Sequence, residues 1–365
     1  MVYHYRERPS FDLIITTRYD TNFTSVTHDR DKDGKKIIIV QSNLGNYALP
    51  PKDSGYIFPG GQNMTKIREE TKIETEPKCL EDYPTYVVFT ERDLYSDDKE
   101  VIKKCTMVFE MRTLFLKQQY KRVERAAKFY GFDKLRPYPD FLQELMGKHI
   151  VGDPIEEDWT RQLLEFIEEQ NYCHKLRILP TSQEYQTSFT TRIDPVPFSI
   201  NHFAKNILGG LLDSAPCDWT AYINSEHTLI SEYSTFKTTE RDCLNKAREK
   251  MALQWKKEFG EETEMKNCEI VLFNNKLEVT EGSITNIAVP VSEGGVVKYI
   301  TPRLTTGCLC GIMRYYLLAK GLIHEGDLTL GDLKPGSKII IFNGVMGVKK
   351  AELRSMATLT MNGRN

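Results

Sequence analysis

The sequence predicts an α+β or mixed α/β protein in two parts that divide near residues 180–190. Two observations lead to this prediction. Strand-like and helix-like segments occur throughout the 365 residues, and in the second half they alternate. A polar stretch, TSQEYQTS at 181–188, separates the two halves and is interpreted as a linker.

The N-terminal part opens with two predicted strands. FDLIITTRYD (11–20) is apolar and β-branched, and KIIIV (36–40) follows the charged turn DRDKDGKK (29–36). Residues 42–105 are rich in Pro, Gly and charged residues, with short apolar runs between them. We interpret them as an insertion of loops and short elements.

Two helices and a strand complete the N-terminal part. Apolar residues recur near helical spacing from about 107, and Gly131 is the predicted end of that helix. Asp153, followed by proline, can cap a second helix over 153–170. The strand KLRILP (175–180) follows.

The C-terminal part begins with the strand DWTAYINS and a loop that carries FKTT. A helix over TTERDCLNKAREKMALQWKK has an apolar stripe from Leu244 to Trp255. CEIVLFNN and LEVTEGSITNIAV are predicted to pair as a hairpin across residues 274–276. The strand KYITP, the short helix GIMRYYLLAKG and the buried strand SKIIIFNG (337–344) come last.

Composition excludes several classes of protein. With 49 Lys and Arg against 51 Asp and Glu, the net charge of −2 does not indicate a nucleic-acid partner. The eight cysteines form no C-x-x-C, which predicts free thiols and no metal site. No signal peptide is visible, and no apolar run approaches the roughly 18 residues of a membrane helix. We therefore predict a soluble cytoplasmic protein that binds neither nucleic acid nor membrane.

Two titratable residues in the C-terminal part suggest a chemistry. Lys237, in STFKTTERD, precedes a predicted helix whose dipole disfavours the charged amine, and the neutral amine is a nucleophile. An ordinary surface lysine is the alternative. Glu281, in KLEVTEGSITNIAV, lies among small residues and could pair with a pyridinium nitrogen of a flat ligand. The alternative is a carboxylate that ends a strand and caps a turn with Ser283.

Two glycine-containing turns could bind a phosphate. Gly307 and Gly311 precede a helix whose first amides are those of Ile312 and Met313. FNGVMG supplies a second tight turn with backbone N–H groups. Such turns are common, and neither matches a P-loop or G-x-G-x-x-G. Together, a lysine, a carboxylate and two amide-rich turns are what a pyridoxal phosphate site needs.

The order of these motifs carries a family resemblance. F-K-T-T-x-R, E-V-T-E-G-S-x-T-N-I, T-P-x-L-x-x-G-x-x-x-G-x-x-R and F-N-G-V-M-G resemble fold-type IV pyridoxal-phosphate enzymes, and most of all the fungal aminodeoxychorismate lyases. In the N-terminal half, FDLIITTR, RVERAAKFYGF and HKLRIL fit the same family. The resemblance implies a two-domain, D-amino acid aminotransferase-like α+β fold. A small N-terminal α/β domain would span 1–183, with an insertion at about 21–110, and a larger C-terminal mixed β/α domain would span 184–365.

The resemblance also implies roles for the residues that would bind pyridoxal 5′-phosphate. Lys237 would bond to the cofactor and later shuttle a proton. Glu281 would pair with the pyridine nitrogen, and Arg122 would hold the phosphate. The backbone amides of four residues would complete the phosphate site: Ile312, Met313, Gly344 and Val345.

Four further residues would face the substrate. Thr16 occupies the position of a substrate-facing threonine in bacterial lyases and is assigned a catalytic role. Arg177 is placed toward a substrate carboxylate, and Arg241 and Asn343 are assigned to substrate binding from their motifs. A half-buried strand threonine and a surface ion pair remain the alternatives for Thr16 and Arg177.

The implied activity is conversion of 4-amino-4-deoxychorismate to 4-aminobenzoate and pyruvate in folate biosynthesis, by a homodimer. The nearest alternative is a pyridoxal-phosphate-dependent aminotransferase acting on branched-chain or D-amino acids. A non-catalytic binding protein with the same fold is a third. K-T-T-x-R and F-N-G-V-M-G favour the lyase, and the presence of both Lys237 and Glu281 disfavours a non-catalytic protein.

Overall fold

The computed structural model describes the chain in segments. These are residues 11–43, 85–132, 135–151, 159–170, 172–180, 186–192, 207–211, 213, 215–230, 233 and 236–356. The described residues belong to two compact units, one between 11 and 192 and one between 207 and 356. The boundary predicted between residues 183 and 184 stays a prediction, and residues 193–206 lie outside the described part of the chain.

The first unit combines two antiparallel sheets with helices. Its described elements are β1 (Ile15–Asp20), β2 (Thr24–Arg30), β3 (Lys36–Ser42), β4 (Tyr86–Thr90), α1 (Lys99–Met111), α2 (Leu116–Tyr130), α3 (Tyr138–Val151), α4 (Trp159–Glu168), β5 (Cys173–Leu179) and β6 (Gln186–Arg192). One three-stranded sheet has the order β1-β5-β6 and the other the order β2-β3-β4. Residues 42–105, interpreted as loops and short elements, therefore contain the strand β4, and the insertion expected at about 21–110 includes the whole sheet β2-β3-β4.

Helix α1 was missed by the sequence analysis, although its signals are present. Asp98 caps it by accepting hydrogen bonds from the N–H groups of Glu100 and Val101, both at 3.0 Å. Apolar residues at helical spacing form its buried face: Val101, Cys105, Val108 and Phe109.

The predicted helix from about 107 is the end of α1 and all of α2. A turn separates the two helices, and Phe115 in that turn has a φ of 56°. Gly131 ends α2 with a φ of 69°, as predicted, in the left-handed conformation that glycine adopts most easily. The proposed cap at Asp153 lies outside the described residues.

The linker interpretation of 181–188 is wrong for its last three residues. Residues 186–188 begin β6, which pairs antiparallel with β5. β6 is an edge strand of its sheet, and edge strands accommodate polar sequence that a central strand would not. Residues 181–185 lie outside the described part of the chain.

The second unit is built on one eight-stranded sheet. Its described elements are β7 (Trp219–Ile223), α5 (Asp242–Phe259), β8 (Cys268–Phe273), β9 (Val279–Gly282), β10 (Asn286–Glu293), β11 (Val296–Pro302), α6 (Ile312–Ala319), β12 (His324–Gly326), β13 (Lys338–Asn343) and β14 (Gly347–Ser355). The strand order is β12-β11-β10-β13-β14-β7-β8-β9. These elements confirm the predicted strands and helices, including the β8–β9 hairpin, but LEVTEGSITNIAV contains two strands, and β12 and β14 were not predicted. Among the described helices, none has the length and apolar character needed to cross a bilayer.

The two faces of this sheet bury different clusters. Successive residues of a strand point to opposite faces. Ala221 and Val271 therefore belong to an inner cluster with residues of β9, β10, β13 and β14. Tyr222 and Ile270 lie on the other face, against the predicted apolar stripe of α5. The sheet curls, so that its edge strand β9 contacts β10, although four strands lie between them in the order of the sheet.

Candidate active site

Glu281 lies in β9, with only 6% of its surface exposed. Its carboxylate accepts a hydrogen bond from the Leu309 N–H group. Burial raises its pKa from 4.5 to about 8, and the nearby Glu269 carboxylate adds to the rise. The hydrogen bond from the Leu309 N–H group and the positive charges of Arg241 and Lys237 lower the pKa of Glu281. The site therefore holds a buried carboxyl group whose pKa is lowered by the charges of two basic side chains.

Lys237 lies in a turn before α5 and is half-buried. Its neighbour Thr238 is only 1% exposed, which fixes the turn to the body of the unit. Arg241 immediately precedes α5, and its Nη2 donates to the Ser283 carbonyl at 2.7 Å. This bond joins the segment that carries Lys237 to the turn that follows Glu281. Arg241 thus has a structural contact besides the substrate role predicted for it.

The segment before α6 is held beside Glu281 by Asn286. The Asn286 Nδ2 donates to the Leu309 carbonyl at 2.9 Å, while the Leu309 N–H group binds Glu281. A Cβ atom on Gly311 would overlap the Asn286 Oδ1, so a larger residue here would displace the Asn286 side chain from its place beside Leu309. Ile312 and Met313 then begin α6, whose first N–H groups have no partner within the helix. The structure therefore brings the predicted phosphate amides of α6 close to Glu281.

Asn343 shapes the second predicted phosphate turn. Its Oδ1 accepts hydrogen bonds from the N–H groups of Val345 and Met346, both at 2.9 Å. Its Nδ2 donates to the Ile284 carbonyl at 3.1 Å, which ties the turn to the segment after Glu281. The amide predicted to bind phosphate at Val345 is therefore already hydrogen-bonded. The Asn343 side chain, predicted to bind substrate, is occupied by the same hydrogen bonds. Gly344 lies in the turn between Asn343 and Val345.

Two of the three predicted site residues of the first unit, Thr16 and Arg122, are connected through Gln119. Thr16 and Arg177 lie directly opposite each other on β1 and β5. Gln119 Nε2 donates to the Thr16 carbonyl at 2.7 Å, and the buried Arg122 donates from Nη2 to Gln119 Oε1 at 2.9 Å. Gln119 was not predicted, although a polar residue on the buried side of an amphipathic helix was a usable signal.

Glu269 is a second residue that the sequence analysis missed. It is a fully buried carboxylate in β8, and it accepts hydrogen bonds from Ser283, Ile284 and Thr285, just after Glu281. The available signal was a charged residue near the start of the otherwise apolar strand CEIVLF. Such a residue is seldom buried without partners.

The chemistry of these side chains fits pyridoxal phosphate. The second unit supplies an amine at Lys237 and, at Glu281, a buried carboxyl whose burial a cationic ring nitrogen would compensate. It also supplies the N-terminus of α6 for a phosphate. In the first unit, taken by itself, the buried guanidinium of Arg122 is a group that can bind phosphate through two parallel hydrogen bonds.

Comparison with known proteins agrees with this chemistry. Residues 106–351 match the amino-transferase class IV family. The aminodeoxychorismate lyase of Saccharomyces cerevisiae is 34% identical over 370 residues, which cover 95% of this chain and 94% of that protein. This relative confirms the resemblance to aminodeoxychorismate lyases, and the family match confirms the predicted fold class.

Two solved structures of aminotransferases are also similar to this chain. The branched-chain aminotransferase of Thermoproteus uzoniensis with norvaline is 14% identical, with a TM-score of 0.41 over 69% of this chain and 75% of that one. The PLP-bound form of a hypothetical aminotransferase from Mycobacterium tuberculosis is 12% identical, with a TM-score of 0.43 over 67% and 78%. On the family match and the yeast relative, the chain belongs to the amino-transferase class IV family.

Proposed function

We propose that this chain is an aminodeoxychorismate lyase that uses pyridoxal 5′-phosphate to convert 4-amino-4-deoxychorismate to 4-aminobenzoate and pyruvate. The observation that carries the proposal is the buried Glu281 with Lys237 and Arg241 close enough to act on its pKa. Similarity to a lyase of that name over 95% of the chain supports the choice of substrate. The reaction would serve folate biosynthesis.

The residues of the second unit would divide the chemistry between them. When bound, pyridoxal phosphate supplies an electron sink for the substrate carbon that carries the amino group. Glu281, once ionised, would hold a proton on the ring nitrogen. Lys237 would take the proton from the aminated ring carbon of the substrate. Loss of enolpyruvate then leaves an aromatic ring, and protonation of the enol gives pyruvate, so no second substrate is required.

The residues of the first unit would bind and orient. Arg122 would hold the cofactor phosphate, and its hydrogen bond to Gln119 would fix the direction of its guanidinium. Arg177 would bind a substrate carboxylate beside Thr16, its partner across the β1–β5 ladder. The amides of Ile312, Met313 and Gly344 would complete the phosphate site, and the Val345 amide would join them only if its hydrogen bond to Asn343 opened. Asn343 and Arg241 would lie near the substrate.

The proposal is tested by a reaction without a 2-oxo acid. Purified protein is incubated with pyridoxal phosphate and 4-amino-4-deoxychorismate, and 4-aminobenzoate and pyruvate are measured. Equal amounts of both products are expected from the wild type, and neither from Lys237→Ala. If neither product appears, but an amino acid and 2-oxoglutarate exchange amino groups, the protein is an aminotransferase and the lyase proposal fails.

We also propose a cytoplasmic homodimer, on the family resemblance. Light-scattering mass of the purified full chain should give about twice the 42.2 kDa of one chain. A monomeric mass would contradict the dimer without affecting the proposed chemistry.

A further inference from the structure

Glu269 is a buried carboxylate that the proposed chemistry does not use. It lies in β8 two residues before Val271, and therefore faces the inner side of the curled sheet with that residue. Its side chain is fully buried. A carboxylate in such a place is costly unless charge and hydrogen bonds compensate it, so its partners should be informative.

Five donors surround this carboxylate, and four of them come from one turn. The described partners are the N–H groups of Ile270 (2.8 Å), Ser283 (2.9 Å) and Ile284 (3.2 Å), and the hydroxyls of Ser283 (2.6 Å) and Thr285 (2.7 Å). Arg248 adds a positive charge, with its Nη1 3.8 Å from Oε1 of Glu269 and 2.9 Å from the Ser283 hydroxyl. The turn 283–285 is thus built around Glu269.

The same turn sets the positions of the groups beside Glu281. The Ser283 carbonyl accepts from Arg241, and the Ile284 carbonyl accepts from Asn343. Gly282 lies between Glu281 and the turn, and a Cβ atom there would be 2.7 Å from Glu269 Cδ. The Glu269 carboxylate therefore holds the backbone that follows Glu281, to which the side chains of Arg241 and Asn343 are hydrogen-bonded.

We propose that Glu269 is a positioning residue, whose carboxylate holds the 283–285 turn so that Glu281 and Arg241 are correctly placed for the cofactor. This inference rests on the proposed role of Glu281 in binding pyridoxal phosphate. The negative charge of Glu269 also raises the pKa of Glu281, which gives the residue an electrostatic effect separate from its structural one. Among the described residues, the other titratable groups that act on Glu281 or respond to its charge are Lys237, Arg241, Cys243 and Cys308.

Glu269→Gln tests the proposal, because it keeps the length of the side chain and removes its charge. Two quantities are measured without substrate. One is the dissociation constant for pyridoxal phosphate. The other, called the midpoint below, is the pKa of Glu281 in the folded apo protein, which is the pH at which the fall in the free energy of unfolding levels off. We expect the dissociation constant to rise about tenfold, as for the loss of charged hydrogen bonds. We expect the midpoint to move to lower pH, because a charge that raises the pKa of Glu281 is gone.

Glu258→Gln is the matched control. Glu258 accepts hydrogen bonds from Tyr222 at 2.8 Å and Gln254 at 2.6 Å, but it lies on α5, against the opposite face of the sheet. This variant should keep the wild-type dissociation constant and midpoint even if its melting temperature falls. If Glu269→Gln behaves like this control, Glu269 only stabilises the fold and the proposal is overturned.

A second variant covers the case in which Glu269→Gln does not fold. The double variant Ser283→Ala with Thr285→Val removes both hydroxyl donors and leaves the carboxylate in place. It should weaken cofactor binding severalfold with an unchanged midpoint, and unchanged binding would overturn the proposal. Because cofactor binding is read without substrate, a wild type that binds the cofactor but forms no 4-aminobenzoate contradicts the lyase proposal alone.

Discussion

Replacing Glu281 with glutamine should change how the stability of the apo protein depends on pH. In the folded chain the pKa of Glu281 is raised from 4.5 to about 8, chiefly by burial. Between these two pH values the folded state holds a proton that the unfolded state has released. Stability therefore falls as pH rises through this window, and it levels off above about pH 8. Glutamine stays neutral, so Glu281→Gln should lack this fall.

The size of the effect follows from the same pKa. Each pKa unit corresponds to about 1.36 kcal/mol, so a rise from 4.5 to about 8 corresponds to at most about 5 kcal/mol. Between pH 5 and pH 8 the wild type should lose about 3–4 kcal/mol of stability relative to Glu281→Gln, because a small part of the effect is already present at pH 5 and the folded group is only half ionised at pH 8. Saturating pyridoxal phosphate should reverse the order at pH 8, because a cationic ring nitrogen would stabilise the ionised carboxylate.

Urea denaturation of cofactor-free protein at several pH values between 5 and 8.5 measures this effect. Glu352→Gln is the control, because Glu352 lies on β14 with 47% of its side chain exposed. Its pH profile should follow that of the wild type. If Glu281→Gln loses stability with rising pH as steeply as the wild type does, Glu281 is not the buried group that titrates in this window, and the reasoning is refuted.

Three further predictions concern single residues. Lys237→Ala should retain the fold, because the side chain is only half-buried, but borohydride reduction should leave no cofactor bonded to the chain; retained cofactor would contradict its role. Gly282→Ala should destabilise the protein by about 1–3 kcal/mol in thermal unfolding, because the new Cβ meets Glu269, whereas Gly147→Ala, where nothing lies within 4 Å of the new Cβ, should be neutral or stabilising. Arg122→Lys should weaken binding of pyridoxal phosphate about tenfold but leave binding of pyridoxal unchanged, because lysine cannot bind phosphate with two parallel donors; equal losses for both ligands in a binding titration would exclude a phosphate contact.

The sequence by itself determined which residue types are available for the chemistry proposed for the second unit. Lys237, Glu281 and the two glycine-containing turns lie in short motifs whose residue types and spacing are local properties. The β8–β9 hairpin and helix α5 were predictable for the same reason, because hydrophobic periodicity and turn residues act over a few neighbouring positions.

The tertiary structure alone decided how these groups are held. Glu269 binds residues 14 to 16 positions away, and Gln119 binds Thr16 across 103 positions. Hydrogen bonds between such distant residues leave no periodic pattern in the sequence, and the curl of the sheet that brings β9 to β10 leaves none either. The raised pKa of Glu281 depends on this burial, because desolvation is a property of the folded surroundings and not of the residue or its neighbours in the chain.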